Sequence, residues 1–458
     1  MNINSSDLQK IFNKEISNKK IKIDNVTINS KEVNAQSIFF AIKGKNTDGH
    51  YFVKEVIKKG CKLIVVKDNF KVPKNNLHKF IKVGSPIRYL ENFAKYQRFT
   101  SKGLFVGITG SFGKTTLKYM LSFFLKEYGK TFSSPKSFNN HFGLPLSLSN
   151  TPKNSQFNIF ELGMSNRGEI NKLCQILRPE IGVITNIGPA HLKNFKNLKA
   201  VCLAKAEIMN HIKKNGHIVL NKDDFYFNTL FKIANNKKLK IITFSKSKKA
   251  NIQLLKITKK KNNYQMTVKV LQKKITIQTK TINDNFVVNF LATLCVCLYF
   301  NCSLGKIKKR AENFSLPSGR GNKVIKTIKG KRIHIIDESY NANPISMKNA
   351  IQNFSLFNSQ KKKKIAIIGD MLELGQRSKF YHLEIAKILK NAEIEEIYLV
   401  GREVVHIHNK LKKTKTCFIS KDIVHFKSLF LKIVNEKSIF LIKGSNEVGL
   451  NKLINQQI

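Results

Sequence analysis

The stretch Thr109-Gly110-Ser111-Phe112-Gly113-Lys114-Thr115-Thr116 has the residue types and spacing to hold phosphate. An apolar run, 104–109, precedes it and a helical pattern over 117–128 follows. Glycines at Gly110 and Gly113 let backbone N–H groups converge on phosphate oxygens. A helix N-terminus adds positive potential, the Lys114 amine neutralises β- and γ-charge, and the Thr115 hydroxyl suits Mg²⁺. Ser111 and Thr116 complete the loop. The spacing is T-G-x-x-G-K-T, because Ile108 stands where the usual pattern has its first glycine. Three further groups follow apolar runs, where ligands bind in open α/β sheets. Glu161 ends one run (FELGMSNRGEI), His191 follows the next (TNIGPAHLKNF), and Lys205 sits on the helical stretch after that (LAKAEIM). Taken singly, they read as a surface carboxylate, a core histidine and a solvated lysine. Taken in this order behind a phosphate loop, they compose an Mg²⁺–ATP site.

The elements that must position these groups alternate strand and helix, which predicts an α/β fold of three units. Residues 1–100 read as a small α/β unit with strands at 38–42 and 63–66 and a turn at Asp48-Gly49-His50. Residues 101–316 read as a P-loop ATPase-like unit built on a parallel sheet, with strands at 104–109, 158–160, 181–185 and 218–220. Within it, 252–255, 264–270 and 275–279 alternate apolar and polar residues, as an antiparallel meander does. Residues 317–458 read as a Rossmann-like α/β unit with strands at 333–336, 365–368, 397–400 and 439–442.

Composition sets the limits. The chain is 42% hydrophobic and 10% aromatic, so it builds real cores. Its 82 Lys+Arg against 29 Asp+Glu give +53, which raises nucleic acid as a partner. The lysines are dispersed, however, and form no stripe interleaved with aromatics, so no specific nucleic-acid partner is expected. Seven cysteines without a paired C-x-x-C are expected to be reduced and mostly buried. The most apolar stretch, 286–300, is interrupted by Asn289 and Thr293 and reads as a buried helix rather than a membrane span. MNINSSDLQK lacks a basic region before an apolar one, so no secretory signal is expected and the location is read as cytoplasmic.

Over nearly its whole length the sequence resembles the Mur ligases, the ATP-dependent amino-acid and peptide ligases of peptidoglycan synthesis. TGSFGKTT, TNIGPAHLKNF, Ser318-Gly319-Arg320 and IIDESYNANPISM carry the likeness. SFNNHFGLPLSL, ELGMSNRGEI and GDMLELGQRSKFYH are similar to the branch that adds a dipeptide. The resemblance implies that D-alanyl-D-alanine is joined to the terminal carboxylate of UDP-N-acetylmuramoyl-tripeptide through an acyl phosphate. It assigns the UDP end to 1–100, ATP to 101–316 and the dipeptide to 317–458. It implies that Lys114, His191 and Lys205 are catalytic, that Thr115, Glu161, His191 and Lys205 hold magnesium, and that Lys205 is carbamylated. Asn289, Arg320 and Asp337 would contact the nucleotide. Ser30, the 43–50 segment, Asn139, Asn140, Ser165, Asn341 and Asn343 would contact the other substrates. Family membership also implies a monomer. Three positions depart from the family pattern: Lys31 stands for arginine, Asn285 for histidine and Asn446 for arginine. The rival readings are a sibling ligase adding one amino acid, folylpolyglutamate synthase, and a nucleic-acid-binding NTPase.

Overall fold

The computed structural model describes residues 3–13, 21–44, 47–190, 192–260, 263–359 and 362–455. They form three sheets in succession along the chain. The first contains β1 (Asn25–Thr27), β2 (Ser37–Phe40), β3 (Leu63–Lys67) and β4 (Phe80–Val83), parallel and in that order. The helix Pro86–Thr100 starts on a proline, whose fixed φ suits a first turn, and buries Leu90, Phe93 and Ala94.

The second sheet positions the phosphate loop. It holds β5 (Leu104–Thr109), β6 (Thr131–Ser133), β7 (Phe157–Glu161), β8 (Ile181–Ile184), β9 (His217–Asn221), β10 (Lys240–Ser245), β11 (Ile252–Lys259), β12 (Tyr264–Val270) and β13 (Lys273–Thr279). The spatial order is β13-β12-β11-β10-β9-β8-β5-β7-β6. Along β5, Val106 and Ile108 pack into one apolar cluster and Phe105 into another. The period-2 alternation of a strand thus feeds cores on both faces, as a strand covered on two sides requires. β11, β12 and β13 form the expected antiparallel meander. The meander continues the central sheet, because β11 pairs in parallel with β10. The helix Asp284–Tyr299 is buried, as its composition requires, and Asn283 caps it by accepting from Phe286 N at 2.8 Å.

The third sheet holds β14 (Asn322–Ile328), β15 (Lys331–Glu338), β16 (Lys363–Gly369), β17 (Glu396–Val400), β18 (Thr416–Ser420) and β19 (Ser438–Lys443), in the order β14-β15-β19-β16-β17-β18. Only the β14–β15 pair is antiparallel. This mixed α/β architecture matches the expected fold class, with the second sheet mixed rather than wholly parallel. The strands not expected from sequence are β1, β4, β6, β10, β14 and β18. Three of them run only three or four residues, and β14 and β18 are half-exposed edge strands. All seven cysteines are free, and all but Cys417 are buried. Among the described residues no helix is long and apolar enough to cross a membrane.

Candidate active site

β5 ends at Thr109, and the loop 110–113 feeds the helix Lys114–Leu125. Gly110 (φ 150°) and Gly113 (φ 83°) adopt backbone that only glycine takes freely. Space is also short: a Cβ on Gly110 would meet Thr185 Oγ1 at 1.9 Å, and one on Gly113 would meet Asn289 Oδ1 at 2.9 Å. The segment after β8 braces the loop. Ser111 Oγ donates to Gly188 O (2.9 Å), Phe112 N to Asn186 Oδ1 (3.0 Å), and Thr185 Oγ1 to Phe112 O (2.7 Å). The Lys114 amine lies back on Gly110 O at 2.8 Å. Burial pushes its pKa down, Glu161 opposes the shift and Arg320 adds to it.

Around Thr115 the parts of the chain converge. Its hydroxyl donates to Glu161 Oε2 at 2.8 Å and accepts from the Arg320 guanidinium at 2.9 Å. Asn139 Nδ2 holds the other Glu161 oxygen at 2.8 Å. Arg320 lies over the Tyr340 ring, 4.0 Å from its centroid, and the Tyr340 hydroxyl donates to Ser137 Oγ at 2.6 Å. Lys443, only 1% exposed, donates to Asn341 O at 3.1 Å and sits 3.4 Å from Glu338. Burial lowers its pKa, with Glu338 opposing. These groups surround a cavity of about 340 Å³. Ser111, Gly113, Lys114, Thr115, Thr116, Asn139, Asn140, Glu161, Ser165, Arg320, Asn341 and Asn343 all line it. Three cations around one cavity, Lys443 buried and Lys114 and Arg320 half-buried, call for an anionic ligand.

The other expected site residues are placed differently. Asn289 is buried behind the loop against Gly113, and neither polar atom of its amide has a hydrogen-bond partner. Gly110 does not line the cavity. The carboxylate of Asp337 is taken up by Gly319 N (2.9 Å) and by the Ser339 hydroxyl (2.6 Å). It borders an adjoining pocket of about 240 Å³. Lys205 lies on the helix Leu198–Ala206, is 2% exposed, and does not line the cavity. Desolvation, and next the charge of Lys114, hold its amine well below the usual lysine range. No hydrogen bond ties that amine to another described residue. His191 lies outside the described residues. Ser30 is remote, bonded to Glu55 and Lys59 in the first unit. The 43–50 segment, whose residues 45 and 46 lie outside the described residues, meets His141 and Phe142 at a separate cavity of about 900 Å³. Asn140, Asn341 and Asn343 also serve locally, each side chain accepting from nearby backbone N–H groups.

Ser137, Glu338, Tyr340 and Lys443 line the cavity without having been singled out from sequence. Tyr340 lies inside the SYNANP segment and Lys443 heads Lys443-Gly444-Ser445-Asn446, so the signal for both was position within a motif.

The cavity fits a nucleotide triphosphate with magnesium. The orphaned Asn289 amide and the unpartnered, buried Arg320 Nε are polar groups awaiting a partner. The Thr115 hydroxyl and Glu161 carboxylate are hard oxygen donors of the kind Mg²⁺ takes. Among the described residues no three His, Cys, Asp or Glu side chains cluster as a metal cage. Thr115 and Glu161 would hold magnesium together with phosphate oxygens, a ligand set it commonly takes.

Three family models match along the chain: the Mur ligase family catalytic domain at 22–98, the Mur ligase middle domain at 108–297, and the Mur ligase glutamate ligase domain at 320–446. The UDP-N-acetylmuramoyl-tripeptide–D-alanyl-D-alanine ligase of Rickettsia prowazekii is 32% identical, and the alignment covers 98% of each chain. The enzyme of that name from Bacillus subtilis is 28% identical over 83% of this chain and 80% of its own. A crystal structure of MurF from Acinetobacter baumannii superimposes with a TM-score of 0.86 at 25% identity, covering 99% and 98% of the two chains. MurF of Thermotoga maritima, solved with ADP, gives 0.79 at 27% identity, covering 94% and 96%. With a full-length relative at that identity, and with the phosphate loop, Glu161 and Arg320 drawn to one cavity, the chain belongs to the Mur ligase family.

Proposed function

We propose that this chain joins D-alanyl-D-alanine to the terminal carboxylate of UDP-N-acetylmuramoyl-tripeptide, consuming ATP and releasing ADP and phosphate. The observation that carries the reading is the set of cations, Lys114, Arg320 and Lys443, around a cavity holding the Thr115–Glu161 pair. A carboxylate and a triphosphate repel each other, so a site that joins them must supply positive charge.

The tripeptide carboxylate oxygen bonds to the γ-phosphorus as the bond to ADP breaks. The amine nitrogen of the dipeptide then bonds to the acyl carbon, and phosphate leaves. Lys114 and the helix N-terminus at Gly113 meet the charge of the phosphates. Arg320, held flat against Tyr340, presents a fixed guanidinium to the same region. Thr115 and Glu161 are the side chains placed to hold Mg²⁺, with His191 and Lys205 assigned to a second ion. Bound magnesium supplies charge neutralisation and polarises the phosphoryl oxygens. The contacts between the second and third units exclude water from a reactive acyl phosphate.

Carbamylation of Lys205 is carried over from the family resemblance, and burial, which pushes its amine well below the usual lysine range, favours the uncharged form that adds CO₂. ¹³C-bicarbonate should give a carbamate resonance that is missing in Lys205→Met. A wild-type spectrum without that resonance removes the assignment. The sequence units 1–100, 101–316 and 317–458 are proposed to take the UDP end, ATP and the dipeptide respectively. The chain is proposed to act as a cytoplasmic monomer.

The deciding experiment measures phosphate release from ATP with UDP-N-acetylmuramoyl-tripeptide, with and without D-alanyl-D-alanine. Release that needs both, with a product heavier by one dipeptide, is expected. Turnover with single amino acids would assign a sibling ligase, and turnover driven by polynucleotide would overturn the reading.

A further inference from the structure

Lys118 lies one turn into the phosphate-loop helix and is 1% exposed, among the largest wholly buried side chains. Its amine donates to Ser134 O at 2.6 Å and also to Lys136 O. Both acceptors are neutral carbonyls. Its other contact is the Tyr119 ring, 5.3 Å from the centroid. A buried ammonium with no carboxylate partner is costly, and an apolar side chain of similar volume would stabilise the core better. The cost points to a task beyond packing.

The segment it grips identifies that task. Residues 134–140 leave β6 and carry Ser137 and Asn139 into the cavity. Ser134 N is tied to Ile159 O of β7 at 3.0 Å. Lys136 stands in the left-handed region at φ 45°, a strained conformation for a residue with a Cβ. Beyond that bend, Ser137 meets Thr115 and Tyr340, Asn139 Nδ2 holds Glu161, and Asn139 O accepts from Gly163 N at 2.8 Å. The amine of Lys118 closes on both sides of the bend, at 134 and at 136.

We propose that Lys118 is a positioning residue: it holds the left-handed bend at Lys136 so that Ser137 and Asn139 keep their places in the cavity wall, where Asn139 is assigned to the acceptor substrate. The inference rests on the ligase reading for its substrate and on the hydrogen bonds alone for its geometry.

The test compares wild type with Lys118→Met, which keeps length and removes the donors, and with Lys118→Gln, which keeps one donor and serves if the methionine variant does not fold. Hydrogen exchange is read at Gly163 N and across 134–140, with Val106 and Val183 as central-strand controls. Exchange about tenfold faster at Gly163 and 134–140, with the strand amides unchanged, is expected. In steady state, KM for UDP-N-acetylmuramoyl-tripeptide should rise about tenfold while KM for ATP stays within about twofold. Unchanged exchange overturns the proposal. Equal changes in both KM values, or faster exchange throughout the central sheet, assign Lys118 to general stability and overturn it as well. The exchange arm needs no substrate, so it still decides the matter if the muramyl tripeptide proves the wrong acceptor.

Discussion

Lys114 shows what single residues do in this site. Its amine is parked on Gly110 O, a neutral acceptor it gives up readily when a phosphate arrives. Replacing it with alanine removes a cation from the reacting centre and leaves the strand and helix intact. Turnover should fall by about 10²–10³-fold or more with an unchanged far-ultraviolet dichroism spectrum, checked by phosphate release. Lys118 gives a prediction about stability. Burial, mainly, holds its pKa down at about 8 against 10.5 for a free lysine. Between those values the unfolded chain binds more protons than the folded one, so stability rises with pH across this window. Relative to Lys118→Met, the wild type should gain up to about 3 kcal/mol between pH 8 and 10.5, read from urea unfolding. The phosphate loop was legible in sequence because its chemistry is local, with glycine, lysine and threonine acting within eight residues. Ser137 and Lys118 were not, since a lone serine or lysine has no pattern until tertiary folding gives it a partner. Glu161 was legible as the carboxylate that ends an apolar run, whereas Arg320 was legible only through family resemblance, because it meets Thr115 from 205 positions away.

At the scale of elements, the junctions carry the site. The carboxyl ends of β5, β7 and β8 deliver Thr109, Glu161 and the bracing segment at Thr185 and Asn186, so neighbouring parallel strands place their tails side by side. The third unit reaches across through the loop after β15, where Tyr340 bonds Ser137. Tyr340→Phe removes that one bond and keeps the ring under Arg320. The closed arrangement should weaken by about 1 kcal/mol, seen as a roughly fivefold rise in the Kd for an ATP analogue by calorimetry. An unchanged Kd would show that this bond does not help hold the units together. The buried strands were legible because apolar runs such as IGVIT and LFVGIT mark them. β6, β14 and β18 were not, since β6 is only three residues long and the half-exposed edge strands β14 and β18 mix polar with apolar residues and blur the signal.

The whole molecule carries +53 formal charges, and two of the three proposed substrates, ATP and the UDP-muramyl tripeptide, are polyanions. A field of that sign speeds encounter, and salt screens it over about 10 Å at 0.1 M. Raising salt from about 50 to about 500 mM should lower kcat/KM for the muramyl substrate about tenfold while kcat holds. A kcat that falls in step would place the effect inside the site instead.

The hydrogen bond between Thr115 and Arg320 joins residues 205 positions apart in the chain. A ribosome delivers the phosphate loop early and Arg320, Tyr340 and Lys443 last. A half-made chain can fold its central sheet around the loop, yet it lacks the cations that complete the cavity. The order of synthesis thus protects the cell's ATP from an unfinished enzyme, because the activity is assembled only by the final third of the polypeptide.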